Sequence, residues 1–318
     1  GKTVEIQNLE NGKLIAGLHT IPCRVKKGKF APGWLGYYMN SHIYHDQIIP
    51  FVTGIKVSSI SKSAIAETII LIPPIEEQER IIETLTQIEK MIKQEVVIVN
   101  KIKSFKSGCL TKMFPREDNK SPEMRFTEYN GAWEQREFGE LGSVAMCKRV
   151  FKEQTLDTGE IPFYKIGTFG GEPDAFISRE LFEEYKCKFS YPEIGDMLIS
   201  ASGTIGRTVE YTGKDEYFQD SNIVWFKHDD RIDNSFLKCL YSIVKWSGIE
   251  GSTIKRLYND NFLKTEFMLP YVEEQQQIGA YFKNLDTLIT LHQRKCDKYI
   301  SIKSGLISML ISLKQQTH

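Results

Sequence analysis

The sequence lacks an apolar run of the roughly 20 residues that a membrane-spanning helix needs, and it does not open on a signal peptide. We therefore expect a cytoplasmic protein without a membrane partner. An excess of one charge is also absent, because 41 basic residues balance 41 acidic residues. A chain without an overall basic field binds nucleic acid only through a local concentration of positive charge. The length of 318 residues and the apolar content of 41% predict two or more packed domains.

Cysteine is scattered, with six residues and no C-x-x-C pair. This spacing indicates reduced thiols in a cytosol and argues against a disulfide framework or a zinc site. His42 and His45 form an H-x-x-H pair, but no glutamate or third ligand follows at the spacing of a metal motif. Surface histidines are the better interpretation, and no metal is predicted.

Motifs of catalysis are missing as well. The chain has no P-loop, no G-x-G-x-x-G after a strand and no N/D-P-P-Y/F signature of amino-methyltransferases. The run G-T-I-G at 203–206 is not followed by GK[ST], which favours a tight turn over a phosphate-binding loop. The acidic pair Glu76–Glu77 stands where a helix begins, and the helix dipole explains it. The sequence therefore predicts a protein that is not an enzyme and holds no cofactor of its own.

An internal repeat organises the chain. Residues 75–81 read IEEQERI and residues 272–278 read VEEQQQI, 197 positions later. The same offset aligns residues 54–108 with 251–305 without a gap, across a loop, a strand and a helix. We interpret this as a duplication. Two complete repeats would need more residues than the chain has, so the first repeat is expected to be short at its N-terminal side.

Each repeat contains one long predicted helix, over 75–114 and 272–314. Apolar residues recur there at alternating steps of four and three, which is typical of a heptad seam. The seam residues are Ile81, Leu85, Ile88, Ile92 and Val99 in the first helix, and Ile278, Phe282, Leu285, Ile289 and Cys296 in the second. Ordinary helices average about 11–12 residues. Helices of this length need a long partner, and each is the obvious partner of the other.

The intervening segments are of a different kind. Residues 160–169, 196–202 and 222–228 read as strands, and 234–248 as a helix whose counterpart in the first repeat is 33–41. Residues 115–271 are thus predicted to be a mixed α/β domain, and residues 1–74 the rear part of a similar domain. The predicted fold class is α+β, with two mixed domains joined by the two long helices.

Glycine-bounded loops in both halves carry basic and amide side chains suited to nucleic acid. Lysine and arginine neutralise phosphates, whereas arginine, asparagine and glutamine read base edges. The candidate DNA-binding residues are Lys148, Arg149, Lys152, Lys165, Thr168, Arg207, Gln219, Asn222, Lys255, Arg256 and Tyr258 in the second domain, and His19, Arg24, Lys26, Lys27 and Lys56 in the first. Each residue taken singly is more often a solvated surface residue, but the recurrence of such loops in both halves favours nucleic-acid binding.

Three features together resemble a known family. They are SPEMRFTEYNGAWEQREFGEL at 121–141, GDMLISASGTIG at 195–206, and the two helix starts at 73–81 and 270–278. Over nearly the whole chain the sequence resembles the specificity subunit of type I restriction–modification systems. The missing front of the first recognition domain is a departure from that pattern, and it leaves recognition of the first half-site open.

The resemblance implies two target-recognition domains, each reading one half of a bipartite DNA target through the major groove. It also implies that the two helices pack as an antiparallel coiled coil, a spacer that fixes the gap between half-sites. The subunit itself would be non-catalytic and would bridge two modification subunits that bind S-adenosylmethionine and methylate adenine. Restriction subunits that depend on ATP and Mg²⁺ would join to cleave. The near two-fold symmetry lets two copies of one partner attach.

Glu95 and His292 occupy equivalent positions near the middle of the two helices, where the apolar seam skips a step. Antiparallel packing about a pseudo-two-fold axis would bring them together as a carboxylate–imidazole pair or through water. Alternatively, both side chains turn outward and Val96 fills the gap. Antiparallel packing also predicts Ile81 near Leu306, whereas parallel packing would place it beside Ile278.

Two other functions remain open on the sequence alone. The chain could be a truncated or decayed specificity protein that acts only as a coiled-coil assembly scaffold. It could also be the specificity portion of a single-chain restriction–modification enzyme. A gel shift with partner subunits tests the first alternative, and a methyltransferase motif upstream of Gly1 would support the second.

Overall fold

The computed structural model describes residues 2–6, 12–25, 28–54, 59–116, 119–249, 251 and 255–312. The α-helices are α1 Trp34–Tyr38, α2 His42–Ile48, α3 Lys62–Ala66, α4 Ile75–Met113, α5 Arg179–Lys188, α6 Asn234–Tyr241, α7 Asn259–Leu263 and α8 Val272–Ser312. The strands are β1 Glu134–Glu137, β2 Gly142–Met146, β3 Ile161–Tyr164, β4 Phe176–Ile177, β5 Met197–Ser200, β6 Thr208–Glu210, β7 Tyr217–Phe218, β8 Ile223–His228 and β9 Glu266–Leu269.

The two long predicted helices are present, with 39 residues in α4 and 41 in α8. Each begins directly after a proline-containing segment and has two glutamates in its first turn, where the helix dipole stabilises negative charge. The starts at Ile75 and Val272 are those predicted. The predicted α+β class with two long helices is therefore confirmed.

The chain divides into two compact units, and the division falls inside both long helices. The first unit comprises Gly1–Lys101 and Ile289–His318, and the second comprises Ile102–Leu288. Each unit thus contains part of α4 and part of α8. The four-segment division that the sequence predicts, with boundaries at the helix starts, stays a prediction.

In the first unit, α1 and α2 pack on the first part of α4 and the last part of α8. Trp34, Tyr38 and Leu85 are buried in this core. Ile81 of α4 shares the core with Leu306 of α8, so the two helices run antiparallel here, as predicted. The alternative parallel arrangement, with Ile81 beside Ile278, is excluded.

The second unit is built on three small sheets. A four-stranded antiparallel sheet has the order β2–β8–β5–β6, a second sheet has the order β4–β3–β7, and β1 pairs with β9. The β3–β7 pair is parallel. Lys106 of α4 bonds Asp286 of α8, and Cys109 bonds Tyr281, so the helices are antiparallel within this unit too.

Two predicted elements are shorter than expected. The strand predicted over 160–169 ends at Tyr164, because the Thr168 hydroxyl bonds the backbone of Lys165 and bends the chain into a turn. The helix predicted over 234–248 ends at Tyr241, because the Ser242 hydroxyl donates to the Cys239 carbonyl at 2.6 Å and replaces the next helical bond.

A buried glutamine holds each long helix to its globular part. Gln78 is fully buried in the first turn of α4. Its Oε1 accepts the N–H of Ala31 at 2.9 Å, and its Nε2 donates to the carbonyls of Lys29 at 3.1 Å and Pro73 at 2.7 Å. The amide thereby satisfies three backbone groups just ahead of α1 and α4.

Gln275 makes the same arrangement at the start of α8. Its Oε1 accepts the N–H of Asp233 at 2.8 Å, and its Nε2 donates to the carbonyls of Arg231 at 2.9 Å and Pro270 at 2.8 Å. Asp233 is the N-cap of α6. We refer to these two arrangements as the glutamine clasps. They explain why both copies of the repeat carry glutamine directly after the acidic pair.

The repeats differ at the strand that precedes the long helix. In the second unit, Leu269 of β9 is paired with β1 and is 8% exposed. The equivalent Ile72 of the first unit is 47% exposed. Among the described residues of that unit, the segment 69–72 forms no strand.

Candidate nucleic-acid interface

Strand direction brings several loops of the second unit to one end of its sheets. In the antiparallel four-stranded sheet, β2 and β5 finish where β8 and β6 begin. The parallel strands β3 and β7 finish together, and β7 reaches β8 through the short turn 219–222. We define the loop end as residues 147–151, 165–169, 201–207, 219–222 and 255–258.

Backbone hydrogen bonds join these loops to one another. The N–H of Ala201 donates to the Asn222 carbonyl at 2.7 Å, and the N–H of Leu257 donates to the Ala201 carbonyl at 2.9 Å. The N–H of Gly203 donates to the Lys255 carbonyl at 2.9 Å. The segment 255–258, remote in sequence, is therefore fixed beside the predicted G-T-I-G turn. That turn is present, with the left-handed glycine at 203 that a tight turn requires.

The loop end contains ten of the eleven second-domain residues that the sequence nominated. They are Lys148, Arg149, Lys165, Thr168, Arg207, Gln219, Asn222, Lys255, Arg256 and Tyr258. Lys152 follows in the short 3₁₀ helix Lys152–Gln154 and is exposed. Residues spread over more than a hundred positions of sequence are thus brought to one surface. Whether each contacts DNA stays a prediction.

Three of these side chains also hold the loops in place. Gln219 Oε1 accepts the N–H of Ile166 at 2.9 Å, and Arg207 donates to the Phe169 carbonyl at 2.8 Å. Thr168 closes its own turn by the bonds described above. An arginine has five donors, so Arg207 retains others for a phosphate or a base.

Two cations of the loop end have acidic partners. Arg149 bonds Asp220 at 3.0 Å, and Lys165 bonds Asp174 at 2.8 Å. The Arg149 side chain is 60% exposed, and exposed ion pairs contribute little to stability. Such pairs hold a cation in position while leaving it accessible to a stronger anion such as phosphate.

The turn 219–222 contains the only non-glycine residue with positive φ in the described part of the chain, Ser221 at 53°. This region is unfavourable for residues with a Cβ. The strain is tolerated because two backbone hydrogen bonds close the turn. The N–H of Asn222 donates to the Asp220 carbonyl, and the N–H of Ile223 donates to the Gln219 carbonyl. Strained residues of this kind concentrate at functional sites.

The opposite end of the sheet has the opposite charge character. Its loops before β2 and β5 and after β8 carry the carboxylates of Glu140, Glu193, Asp196, Asp229 and Asp230. Burial raises the pKa of Asp196 above its usual range. Although the chain has no net charge, basic side chains concentrate at the loop end of this sheet and carboxylates at the opposite end.

The first unit provides fewer of the nominated residues. His19 and Arg24 are exposed and lie outside helices and strands. Lys26, Lys27 and Lys56 lie outside the residues that the structure describes. The candidate interface of the first unit therefore stays a prediction from sequence.

The middle of the helix pair contains the predicted polar contact. His292 Nδ1 lies 2.6 Å from Glu95 Oε2, and Lys295 Nζ lies 2.5 Å from Glu95 Oε1. The Glu95 side chain is 6% exposed, whereas Val96 is 44% exposed and points outward. The predicted contact is confirmed, and the outward-facing alternative is wrong. The hydrogen bond from Lys295, and to a smaller extent the one from His292, lowers the pKa of the Glu95 carboxyl.

Equivalent ion pairs lie on either side of this contact. Lys303 bonds Glu89 at 2.6 Å in the first unit, and Lys106 bonds Asp286 at 2.5 Å in the second. Each pair is the image of the other under the 197-residue offset. The seam residues named from the sequence are buried or half-buried throughout.

Sequence reasoning missed the residues that join the globular parts to the helices. Besides the two clasp glutamines, Arg125 forms a bidentate pair with the buried Glu274 of α8, both distances being 2.7 Å. The signal for the glutamines was present, since the E-E-Q triplet recurs at the offset of the repeat. No such signal exists for Arg125, because the 197-residue offset places its counterpart before Gly1.

Within the described residues, no three His, Cys, Asp or Glu side chains come together as a metal site. None of the helices in the same ranges combines the length and apolar character needed to cross a bilayer.

Comparison with known proteins identifies the family. The type I restriction modification DNA specificity domain matches residues 8–104 and 130–298, which is most of the chain. The chain belongs to this family, as its sequence features suggested.

Two curated relatives carry names from the same family. A Haemophilus influenzae protein named "Putative type I restriction enzyme specificity subunit" is 41% identical over 254 residues, covering 78% of this chain and 65% of the relative. The chain thus matches less than two thirds of that relative's length. A Methanocaldococcus jannaschii protein named as the MjaX specificity subunit is 22% identical over 332 residues, covering 95% of this chain and 72% of the relative.

Solved structures share the fold. The type I restriction–modification S subunit from M. genitalium aligns with a TM-score of 0.55 at 14% identity, covering 88% of this chain and 72% of that one. A chain from a structural study of the assembly of the type I R-M system aligns with a TM-score of 0.54 at 16% identity. The alignment covers 87% of this chain and 70% of that one.

Proposed function

We propose that this chain is a DNA-sequence specificity subunit that reads a bipartite target and directs modification and restriction subunits to it. The observation that carries the proposal is the convergence of basic and amide side chains at the loop end, opposite a carboxylate-bearing end. DNA is a polyanion, and its bases are distinguished by donors and acceptors in the major groove. The loop end supplies both cations and amides at one end of the sheets.

We infer the partners from membership of the family. Two modification subunits would bind S-adenosylmethionine and methylate adenine, and restriction subunits would use ATP and Mg²⁺, all in the cytoplasm. We infer a spacer role for the two long helices, because α4 and α8 are copies of one repeat and run antiparallel within each unit. The chain itself would neither methylate nor cut DNA when purified alone. Activity of a verified single-component preparation would contradict the proposal.

The target is found first, by sequencing methylated positions in DNA from cells that carry this gene with its modification partner. Binding of the reconstituted complex is then measured by gel shift on duplexes that differ only in the half-sites. The specificity proposal expects a duplex with both half-sites to bind more tightly than one with either half-site scrambled. Equal binding to all duplexes would favour the scaffold function.

Arg207→Ala and Asn222→Ala are expected to weaken binding to the second half-site by about 1–3 kcal/mol where the side chain contacts a base edge. Binding to a scrambled duplex should change less, because base contacts contribute only to the specific complex. Arg231→Ala is the matched control, since Arg231 is exposed at the opposite end of the sheet and bonds Asp229 there. The interface would lie elsewhere if the control Arg231→Ala lost affinity. It would also lie elsewhere if neither Arg207→Ala nor Asn222→Ala did.

Lys152→Ala tests the electrostatic part of the interface. If Lys152 contacts a phosphate, its loss should weaken all duplexes alike and reduce the slope of log affinity against log salt by about one. The slope is measured by gel shift over a series of salt concentrations. An unchanged slope would remove Lys152 from the interface.

A further inference from the structure

The polar contact in the middle of the helix pair is asymmetric, although the helices are repeats of one another. Glu95 of α4 bonds His292 and Lys295 of α8. Under the 197-residue offset, Glu95 corresponds to His292, and Lys295 corresponds to Ile98. The carboxylate is therefore present in one helix only, and the lysine beside it in the other only.

The ion pairs on either side do not have this asymmetry. Each helix contains both members of the pair: Glu89 and Lys106 in α4, and Asp286 and Lys303 in α8. Two α4 helices packed antiparallel in the same register would place Lys106 of one opposite Glu89 of the other. Two α8 helices would likewise place Lys303 opposite Asp286. These outer pairs therefore form equally well in an α4–α8 pair and in a pair of identical helices.

The centre distinguishes the three pairings. Two α4 helices would face Glu95 against Glu95 with isoleucine at both lysine positions, so two carboxylates would be buried without a cation. Two α8 helices would bring two His292 and two Lys295 side chains together without a carboxylate at the centre. Burial of unpaired charge is strongly unfavourable. The charges are complementary only when α4 pairs with α8.

We propose that the Glu95–His292–Lys295 cluster selects α8 as the partner of α4 and prevents association of separate chains through two copies of the same helix. Such selection is needed because duplication produced two helices with nearly the same apolar seam and the same outer ion pairs. A single polar residue in a coiled-coil seam is known to choose between competing pairings at a cost in stability. The proposal concerns helix pairing and is independent of the proposed DNA-binding function.

The test uses the full chain with Glu95→Gln, which keeps the shape of the side chain and removes its charge. Equal amounts of ¹⁴N- and ¹⁵N-labelled chains are unfolded together and refolded at a series of protein concentrations. The dimer fraction is measured by sedimentation velocity, and lysine cross-links are identified by mass spectrometry. A mixed-isotope cross-link between Lys90 and Lys101 reports an α4–α4 pair, because these residues flank position 95 on the same helix.

The wild-type chain is expected to refold without mixed-isotope Lys90–Lys101 cross-links. Glu95→Gln should yield them, with the dimerisation constant raised about tenfold or more, since the buried like-charge contact is gone. Glu95→Leu should do the same and keeps the test valid if the glutamine variant folds poorly. Glu83→Leu is the matched control, because Glu83 is an exposed carboxylate of α4.

Three outcomes would overturn the proposal. One is an α4–α4 cross-link in the wild-type chain. Another is a dimerisation constant that is the same in the wild-type chain and both Glu95 variants. The third is an equal rise in Glu83→Leu, which would show that added apolar surface rather than the central charge controls association.

Discussion

Replacement of Phe138 by alanine is expected to lower the free energy of unfolding of the second unit by about 3–5 kcal/mol. Phe138 is fully buried, and its ring packs against Phe267 at 4.4 Å, Phe262 at 4.9 Å and Phe226 at 5.2 Å between centroids. Alanine would leave a cavity among the surrounding aromatic rings. Urea unfolding followed by tryptophan fluorescence measures the loss, because Trp246 stacks on the same ring.

Two further variants make this expectation specific. Phe138→Leu keeps most of the volume and should cost clearly less than alanine. Phe151→Ala removes a phenylalanine that is 55% exposed and should change stability by no more than about 0.5 kcal/mol. Similar losses for Phe138→Ala and Phe151→Ala would show that the aromatic cluster does not form the core described here.

Arg125→Ala is expected to destabilise the second unit by about 3–5 kcal/mol, because it leaves the Glu274 carboxylate buried without its cation. The Glu274 side chain is 1% exposed and the Arg125 side chain 15% exposed. The hydrogen bonds from Arg125 to Glu274 raise the pKa of the guanidinium further. Chemical denaturation of Arg125→Met, of Glu274→Met and of the variant with both changes gives the coupling free energy between the two residues.

The double variant Arg125→Met, Glu274→Met separates the pair's own contribution from the penalty of an unpaired charge. With both charges gone, stability should recover most of the loss, since an apolar pair of similar volume can replace a buried ion pair. A double variant as unstable as Arg125→Ala would mean that the hydrogen bond from Arg125 to the Gly131 carbonyl, rather than the charge pair, is what matters.

The long helices could be predicted from the sequence because two signals agree on them. The heptad steps define the buried seam, and the duplication supplies an independent second copy at a fixed offset. Equivalence of the copies also placed Glu95 beside His292, because residues related by a two-fold axis meet where that axis crosses the pair. The end of α4 at Met113 lies one residue from the predicted boundary.

The residues of the loop end could be nominated from the sequence, but their convergence on one surface could not be predicted. Arg149, Arg207 and Arg256 come together only because β2, β5 and the segment 255–258 reach the same end of one sheet. The order of strands in a sheet cannot be predicted from the local periodicity of the sequence. The α6 helix illustrates the same limit on a smaller scale. The apolar pattern continues past Tyr241, but the Ser242 hydroxyl competes for the carbonyl that would extend the helix.

The glutamine clasps have a consequence for the kinetics of local opening. Each clasp ties the first turn of a long helix to the backbone ahead of a short one, so neither can unravel alone without stranding buried donors and acceptors. The amide protons of Ala31 and Asp233 are themselves part of the clasps. Their exchange with solvent deuterium therefore requires the same opening event as release of the clasp carbonyls. The end of a helix ordinarily frays by one turn on its own. Here we expect the first turn of each long helix to open together with the start of the short helix that its clasp holds.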